Sequence, residues 1–540
     1  MELGPKQVST LIDGVASIDI AGRSIGHLMD AGRSQIDELL PEFVAGRRWF
    51  GNKGTPIDSA RIGDLIAIPA ATGDGIAGHL ATIDVRYADR TAPERYVTAL
   101  TTRPVGSALP DGSDVLARVH TADGEFLLAD SIADPQLADG LLHAMRGGRS
   151  VQGSGASITG QGGATFEQAL EGFGQIGVEP LSLHTSNTSV RVAAADGRDY
   201  ALKLVRRHEA LPEPGAPTRA LDVWKGAYLT DVAKYRNTPA VVGSIDHVGG
   251  DDLPRTIAVL TEFVPNDGDG WAHALDDASR TLGLVGDDAA TGIADSAIDE
   301  YATAARNHGR RLGELHVALS SGGAASEFRG IREGASAAGE RADRLRSDAR
   351  GVVEQLRERG RGSDADRIAA VLDDRVDEMA QAVDELVPID AIHTHGDFHL
   401  GQMLRTGDDV QLIDLEGAPA LPMAERWQRT IALGDVARQR SSYDYAGTQA
   451  LRDAVEARPE LADTLQPVAE RWTRQAQDAF LTGWLDATRD QRFRHARVEL
   501  APELRQAELA NALYETKYEL GSRPDWVDIP LDRIRRIVGS

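Results

Sequence analysis

The 540-residue chain has no cysteine and only six lysines. Without a thiol it can form neither a disulfide nor a thiolate metal site. No stretch approaches the roughly 18 apolar residues of a membrane span. The opening residues MELGPKQVSTLIDGVASIDIAG lack a basic segment leading into an apolar one. The expectation is a cytoplasmic protein with no membrane contact. No GxxxxGK[ST] motif occurs, which removes the P-loop nucleotide enzymes. Positive charge is also scarce, with 58 basic against 83 acidic residues and a formal net charge of −25. A general nucleic-acid partner needs a basic face and is therefore not expected. The six lysines leave 52 arginines. An acidic surface with little lysine suits concentrated salt, where the Debye length falls to about 3 Å and carboxylate repulsion is screened. A halophilic cytosol is expected on that ground.

What is present changes character along the chain. The length suggests two to four domains. Residues 1–34 are weakly patterned and read as peripheral. From Ile36 to about Thr102 a short helix, DELLPEFV, gives way to β-like runs such as ATIDVRYAD and ERYVTALTT. DSIADPQLADGLLHAM (130–145) reads as a helix, with Ser131 as a capping residue. GGRSVQGSGASITGQGG (147–163) has no periodicity and reads as a linker or mobile loop. SNTSVRVAAADGRDYALKLVRR (186–207) reads as a hairpin turning at Asp196–Gly197. AVLTEFV (258–264) is a further apolar strand. Beyond it, 298–321, 333–386 and the segments from Pro459 to Leu513 carry helical periodicity. The order is a β-rich first half, a short connector and a helical second half.

The helical half holds one dense motif, HTHGDFHLGQMLRTGDDVQLIDLEG, from His393 through Gly417. Two chemistries compete for it. His393, His395, Asp397 and His399 could bind zinc for hydrolysis. However, Phe398 interrupts the usual Asp-His step, and no further histidine follows until His495. Phosphoryl transfer uses other atoms. A strand–turn unit could bring Asp397, Gln402 and Asp414 to one loop mouth. There one carboxylate would accept the proton of an attacking hydroxyl, while an amide and a second carboxylate hold Mg²⁺. A strand lysine would then reach the phosphates, and Lys203 lies inside the apolar run YALKLV. Its plain alternative is an edge-strand lysine that blunts aggregation.

HGDFHLGQ together with IDLEG resembles the catalytic and metal loops of the maltokinases, which are relatives of aminoglycoside phosphotransferases and eukaryotic-like kinases. The resemblance runs from about Leu39 to Val538 and takes in RRWFGNKG, DSIADPQLADGLL, SNTSV with ALKLVRR, LTEFVPNDGDGW, RLGELHVAL and YETKYELGSRPDWVDIPL. It implies an α+β, bilobal protein-kinase-like fold with an extra cap domain. The cap would span 35–146, the Gly-rich loop and β-rich ATP lobe 147–264, and the helical lobe 265–540. The implied activity is phosphorylation of the anomeric hydroxyl of maltose by ATP and Mg²⁺, with trehalose synthase as a companion enzyme. Asp397 matches the base, and Gln402 and Asp414 match the metal ligands, with Glu416 close by. Ser186, Asn187, Thr188 and Ser189 match a phosphate-covering loop, Lys203 the phosphate-binding lysine, and Glu262 and Val264 the adenine-facing backbone. Tyr514, Tyr518 and Trp526 resemble an aromatic wall for the sugar, and plain core packing is their other reading. His399 either lines the sugar pocket or braces Asp397.

Two departures from the family pattern stand out. The usual glutamate partner of the lysine is missing, and Asp222 is the nearest candidate, with Glu209 behind it. Arg438 stands where an apolar residue is common. Related glucosamine kinases share much of this architecture and supply the alternative acceptor. An inactive nucleotide-binding pseudokinase is the alternative of another class.

Overall fold

The computed structural model describes residues 14–539, apart from 21, 52–54, 72–74, 89–92, 164, 171–175, 182–186, 195–196, 209–219, 251–252, 287–290, 324–325, 335, 385, 419–420 and 498. The chain divides into two compact units. One is Met1–Asp231 with Pro239–Val264, and the other is Val232–Thr238 with Pro265–Ser540.

The first unit contains two sheets. The strands of the first are β1 (Ser17–Asp19), β2 (Ile57–Pro69), β3 (Ile76–Tyr87), β4 (Glu94–Pro104), β5 (Asp114–Thr121) and β6 (Gly124–Asp130), in the order β1-β5-β6-β4-β3-β2. Alternating β-branched residues such as Ile66 and Ile68 point to one face. The helix Arg33–Ala45 lays Ile36, Leu40, Phe43 and Val44 into the adjoining core. Residues 17–34 are not peripheral as the sequence suggested. β1 pairs in parallel with β5, and Ile18, Ile20, Leu28 and Met29 are buried. A three-residue strand is too short to show a period.

The second sheet comprises β7 (Ser150–Gln152), β8 (Ser157–Gly162), β9 (Gly177–Pro180), β10 (Thr188–Ala193), β11 (Asp199–Leu204), β12 (Val241–Val248) and β13 (Pro254–Glu262), in the order β7-β8-β12-β13-β11-β10-β9. The hairpin β10–β11 forms with Gly197 at φ +82°, the conformation its turn needs. The Gly/Ser-rich stretch 147–163 is a correction. It supplies β7 and β8, and β8 pairs with the interior strand β12. Small residues are required there because a Cβ on Gly160 would collide with the Ala144 carbonyl, and one on Gly153 with that of Leu65.

The helix Pro135–Ala144 lies in the one core that both sheets share. It is capped by Asp134, whose Oδ1 accepts from Gln136 N at 2.9 Å, and not by Ser131. The Ser131 hydroxyl bonds Ser113 instead. Arg206 is buried and ties the sheets together. It bonds Asp130 at 2.7 Å, the Val97 carbonyl at 3.1 Å and Thr188 Oγ1 at 2.8 Å, and its guanidinium lies over the Trp49 ring.

The second unit is mostly helical. The stretch 333–386 resolves into helices Ala337–Glu358 and Gly362–Asp384. The long helices Thr291–Ser320 and Ala462–Ala487 touch backbone to backbone at Gly309 and Gly483, where any side chain would strike the opposite chain. A short hairpin, Met403–Thr406 with Asp409–Leu412, interrupts the helices and carries the motif.

Each unit buries a histidine held neutral. His208, 3.1 Å from His247, is driven down to about 3 by burial and then by the charges of His247, Arg255 and Arg95. His308, against the Tyr443 hydroxyl, falls to about 3 through burial, with His273 and Arg405 adding to it. An unfolded histidine titrates near 6.5. The unfolded chain therefore binds protons that the folded chain refuses between pH 6.5 and about 3, and stability falls as pH falls through that window. Each site contributes a loss of about 2 kcal/mol between pH 7 and pH 5. Urea midpoints at the two pH values read it, and equal midpoints would remove both histidines from the account.

Candidate functional site

The motif is held by buried polar groups of the second unit. Asp435, near the start of the helix Leu433–Ala457, is 2 % exposed. Its Oδ2 accepts the His395 N–H at 2.8 Å and the His316 ring nitrogen Nε2 at 3.0 Å, and its Oδ1 accepts the Gly396 N–H at 2.9 Å. Trp484 donates its indole N–H to His316 Nδ1 at 3.0 Å, which leaves Nε2–H to face the carboxylate. Burial pushes the Asp435 carboxyl up. The hydrogen bonds from His316 and from the Gly396 N–H outweigh it and hold it at about 2. The signal for this anchor in the sequence is weak, a lone acid on the buried face of a helix.

His395 is the second brace. Its Nδ1 accepts the Asp397 N–H at 3.4 Å, and its Nε2 lies 2.8 Å from the Ile413 carbonyl, to which it donates. One imidazole thus spans the loop of the candidate base and the residue before the candidate metal ligand. The two loops also touch through glycine. Gly396 sits at φ +90°, and a Cβ there would stand 3.0 Å from Gly417 Cα.

Asp414 adopts φ +65°, an uncommon conformation for a side-chain-bearing residue and one that occurs where a carboxylate must be aimed. One of its oxygens lies within 4.8 Å of a Glu416 oxygen. Gln402 Nε2 approaches Asp414 Oδ2 at 3.5 Å. These are hard oxygen donors of the kind Mg²⁺ takes, and Gln402 would present its carbonyl oxygen. The hairpin bearing them is fastened by Asp409, which receives Arg311 through two nitrogens, Asn307 at 3.1 Å and Asn237 at 3.2 Å. Burial opposes ionisation of Asp409, but the hydrogen bonds from Arg311 and Asn307 hold its carboxyl far below the usual range.

Histidine ligation of zinc finds no support here. Among the described residues, no group of three histidine or carboxylate ligand atoms within metal-binding reach includes His393, His395 or His399. His399 caps the turn Leu400–Gln402 by accepting the Gly401 N–H at 3.1 Å, and its other nitrogen lies 3.4 Å from Gln402. It therefore braces the turn that carries Gln402.

The aromatic residues divide. Tyr514 lies under the Arg438 guanidinium, which reaches Asp397. Trp526 stacks on Tyr445 at 5.8 Å, and Arg523 lies over both Trp526 and Tyr518. Tyr514 is thus linked through Arg438 to the candidate base Asp397, whereas Tyr518 and Trp526 form a separate cluster around Arg523.

In the first unit, Lys203 on β11 donates to Asp222 Oδ2 at 2.7 Å, which identifies the carboxylate partner. Glu209 and Ser186 lie outside the described residues. Asn187 Oδ1 accepts the Arg206 N–H, and Thr188 Oγ1 accepts from Arg206 Nε. These two side chains are therefore engaged within the fold by Arg206. Ser189 pairs in register with Lys203 across the hairpin. The Glu262 N–H is taken by the Ala240 carbonyl and is not a donor for a purine, and Val264 ends the unit.

No family model matches this chain. A glucosamine kinase of Mycolicibacterium smegmatis is 27 % identical over 357 residues, covering 66 % of this chain and 78 % of that protein. One from Streptacidiphilus jiangxiensis is 28 % identical over 282 residues, covering 51 % of this chain and 56 % of the relative. The solved glucosamine kinase in complex with glucosamine, ADP and inorganic phosphate superposes with a TM-score of 0.58 at 20 % identity, over 92 % of this chain and 98 % of that one. A second crystal form gives 0.60.

The chain is similar to glucosamine kinases. The fold is thereby fixed as kinase-like and α+β, with a β-rich N-terminal part and a helical C-terminal part. The maltokinase resemblance narrows accordingly, since the relatives found carry the name of the alternative acceptor.

Proposed function

We propose that the protein is an ATP-dependent kinase that phosphorylates a hydroxyl of a small sugar, with an amino sugar as the first acceptor to test. The observation that carries this reading is the single imidazole, His395, that braces both Asp397 and the approach to Asp414. Asp397 takes the proton of the sugar hydroxyl as its oxygen bonds to the γ-phosphorus and the bond to ADP breaks. A positioned base of this kind is worth roughly 10²- to 10⁴-fold. Lys203, oriented by Asp222, offers its ammonium to phosphate oxygens. Bound through Asp414, Glu416 and Gln402, Mg²⁺ would neutralise phosphate charge.

The relatives' names favour an amino sugar. Maltose rests on motif resemblance alone, and so does a trehalose synthase companion. The pseudokinase reading loses its main argument, because the irregular lysine partner forms a 2.7 Å ion pair.

The test is ADP release with ATP, Mg²⁺ and KCl on glucosamine, maltose, glucose and trehalose side by side. Turnover on glucosamine supports the amino-sugar arm, and turnover on maltose alone restores the other. ATP binding without turnover on any sugar would overturn the enzyme reading.

A further inference from the structure

The candidate base has a cationic neighbour that the phosphotransferase chemistry does not call for. The helix Leu433–Ala457 that supplies Asp435 supplies Arg438 three residues later, on the same face. Arg438 Nη1 lies 3.6 Å from Asp397 Oδ1, and the two side chains are only 20 % and 23 % exposed. That separation is too long for a hydrogen bond. The guanidinium is positioned from below by Tyr514, with Cζ 5.1 Å from the ring centroid. A guanidinium carries five N–H donors in a planar fork. Among the described residues this one pairs with Asp397 and stacks on Tyr514, and none of its N–H groups is engaged in a hydrogen bond to protein.

The geometry points to Arg438 as a specificity-determining residue that binds an oxygen of the acceptor beside the reacting hydroxyl and rejects a protonated amine at that position. The inference rests on the sugar-kinase reading and deepens it. A hydroxyl that gives its proton to Asp397 must come within hydrogen-bond reach of that carboxylate. The substituent one carbon away then faces a cation fixed beside the same carboxylate. A hydroxyl or carboxylate oxygen accepts from the fork, which suits paired oxygens. An ammonium meets like charge from Arg438 instead, offset in part by the Asp397 carboxylate beside it, so the net discrimination expected is about tenfold.

The acidic groups on the Tyr514 helix do not compensate. Glu515 accepts from Ser441 and Asn511, and Glu519 accepts from the Tyr445 hydroxyl and from Arg523. Each already has partners, so neither is an unpaired counter-charge for an amine. Where the acceptor carries an amine, that amine sits away from the reacting hydroxyl.

The experiment uses the full chain and two neutral variants, Arg438→Leu and Arg438→Gln, with Arg438→Lys as a third. Glucose, glucosamine and glucuronic acid are compared with ATP and Mg²⁺, and the phosphorylated position is read by NMR. For the best wild-type acceptor, KM is expected to rise at least tenfold in the Leu variant and less in the Gln variant, with kcat changing less than KM. Discrimination against an amine neighbouring the reacting hydroxyl is expected to relax by about tenfold in both neutral variants and to persist in the Lys variant. Unaltered urea midpoints show that the variants are folded. Unchanged acceptor ratios across folded variants would overturn the inference while leaving the kinase reading intact, as would wild-type transfer to a hydroxyl beside the glucosamine nitrogen. No sugar phosphorylated by wild type or variants would overturn the kinase reading itself, and the inference with it.

Discussion

Asp435→Asn is expected to cost about 3 kcal/mol of stability and at least a hundredfold in turnover together. The carboxylate makes three contacts in a site closed to water, with His395 N–H, Gly396 N–H and the His316 ring. An amide of the same shape can accept with one atom only. Its NH₂ then faces a donor, and a buried N–H loses its partner, which costs about 1–3 kcal/mol for that group alone. With the amide oxygen in the Oδ2 place the Gly396 N–H is the one orphaned, and in the opposite orientation the His395 N–H and the His316 ring both lose their acceptor. Because the two backbone amides belong to the loop that presents Asp397, the loss reaches the chemistry through geometry. Urea denaturation and ADP release measured on one preparation give both numbers. A stable variant with full turnover would show that the loop holds its shape without this anchor.

Asp397→Asn separates the two effects. Its side chain is a quarter exposed, and its charged partner Arg438 stands off at 3.6 Å, so the folded state loses little. Turnover is expected to fall by about 10²- to 10⁴-fold, the range for loss of a positioned base. Affinity for ATP should hold, because the base faces the acceptor hydroxyl. Calorimetric nucleotide titration beside the kinetic assay makes the comparison. If Asp397→Asn keeps more than a tenth of wild-type turnover, the proton goes elsewhere.

Much of the candidate site's frame was legible because its parts are local. Asp397, Gln402 and Asp414 lie within eighteen residues, and the short hairpin between Gln402 and Asp414 brings those two within 3.5 Å. The lysine partner was legible only as a candidate. Nineteen residues separate Lys203 from Asp222, and spacing alone does not show that the two side chains meet. The anchor Asp435 was less legible still, since its partners lie about 40 and 119 residues away. The stretch 147–163 was misread for a physical reason. Glycine and serine give no hydrophobic period, but absence of side chains is also what a strand needs where backbone presses on backbone, as at Gly160. Ser131 lost the cap to Asp134, which directly precedes the proline that opens the helix. The helical spacing of Tyr514 and Tyr518 does not show which arginine each will meet, Arg438 for the one and Arg523 for the other.

The order of strands in the second sheet also bears on how the chain is made. β12 and β13 come last in sequence, yet they lie between β8 and β11. The earlier strands therefore emerge from the ribosome without their central partners, their apolar faces open and their edges unpaired. The core common to both sheets cannot close until residue 264 has been synthesised, about half the chain. The N-terminal cap is consequently no detachable module. Cut away at residue 146, the remainder would leave Ile158, Leu202 and Leu260 without the helix residues Leu137 and Leu141 that share their core, and a chaperone would meet such a fragment as an unfinished chain.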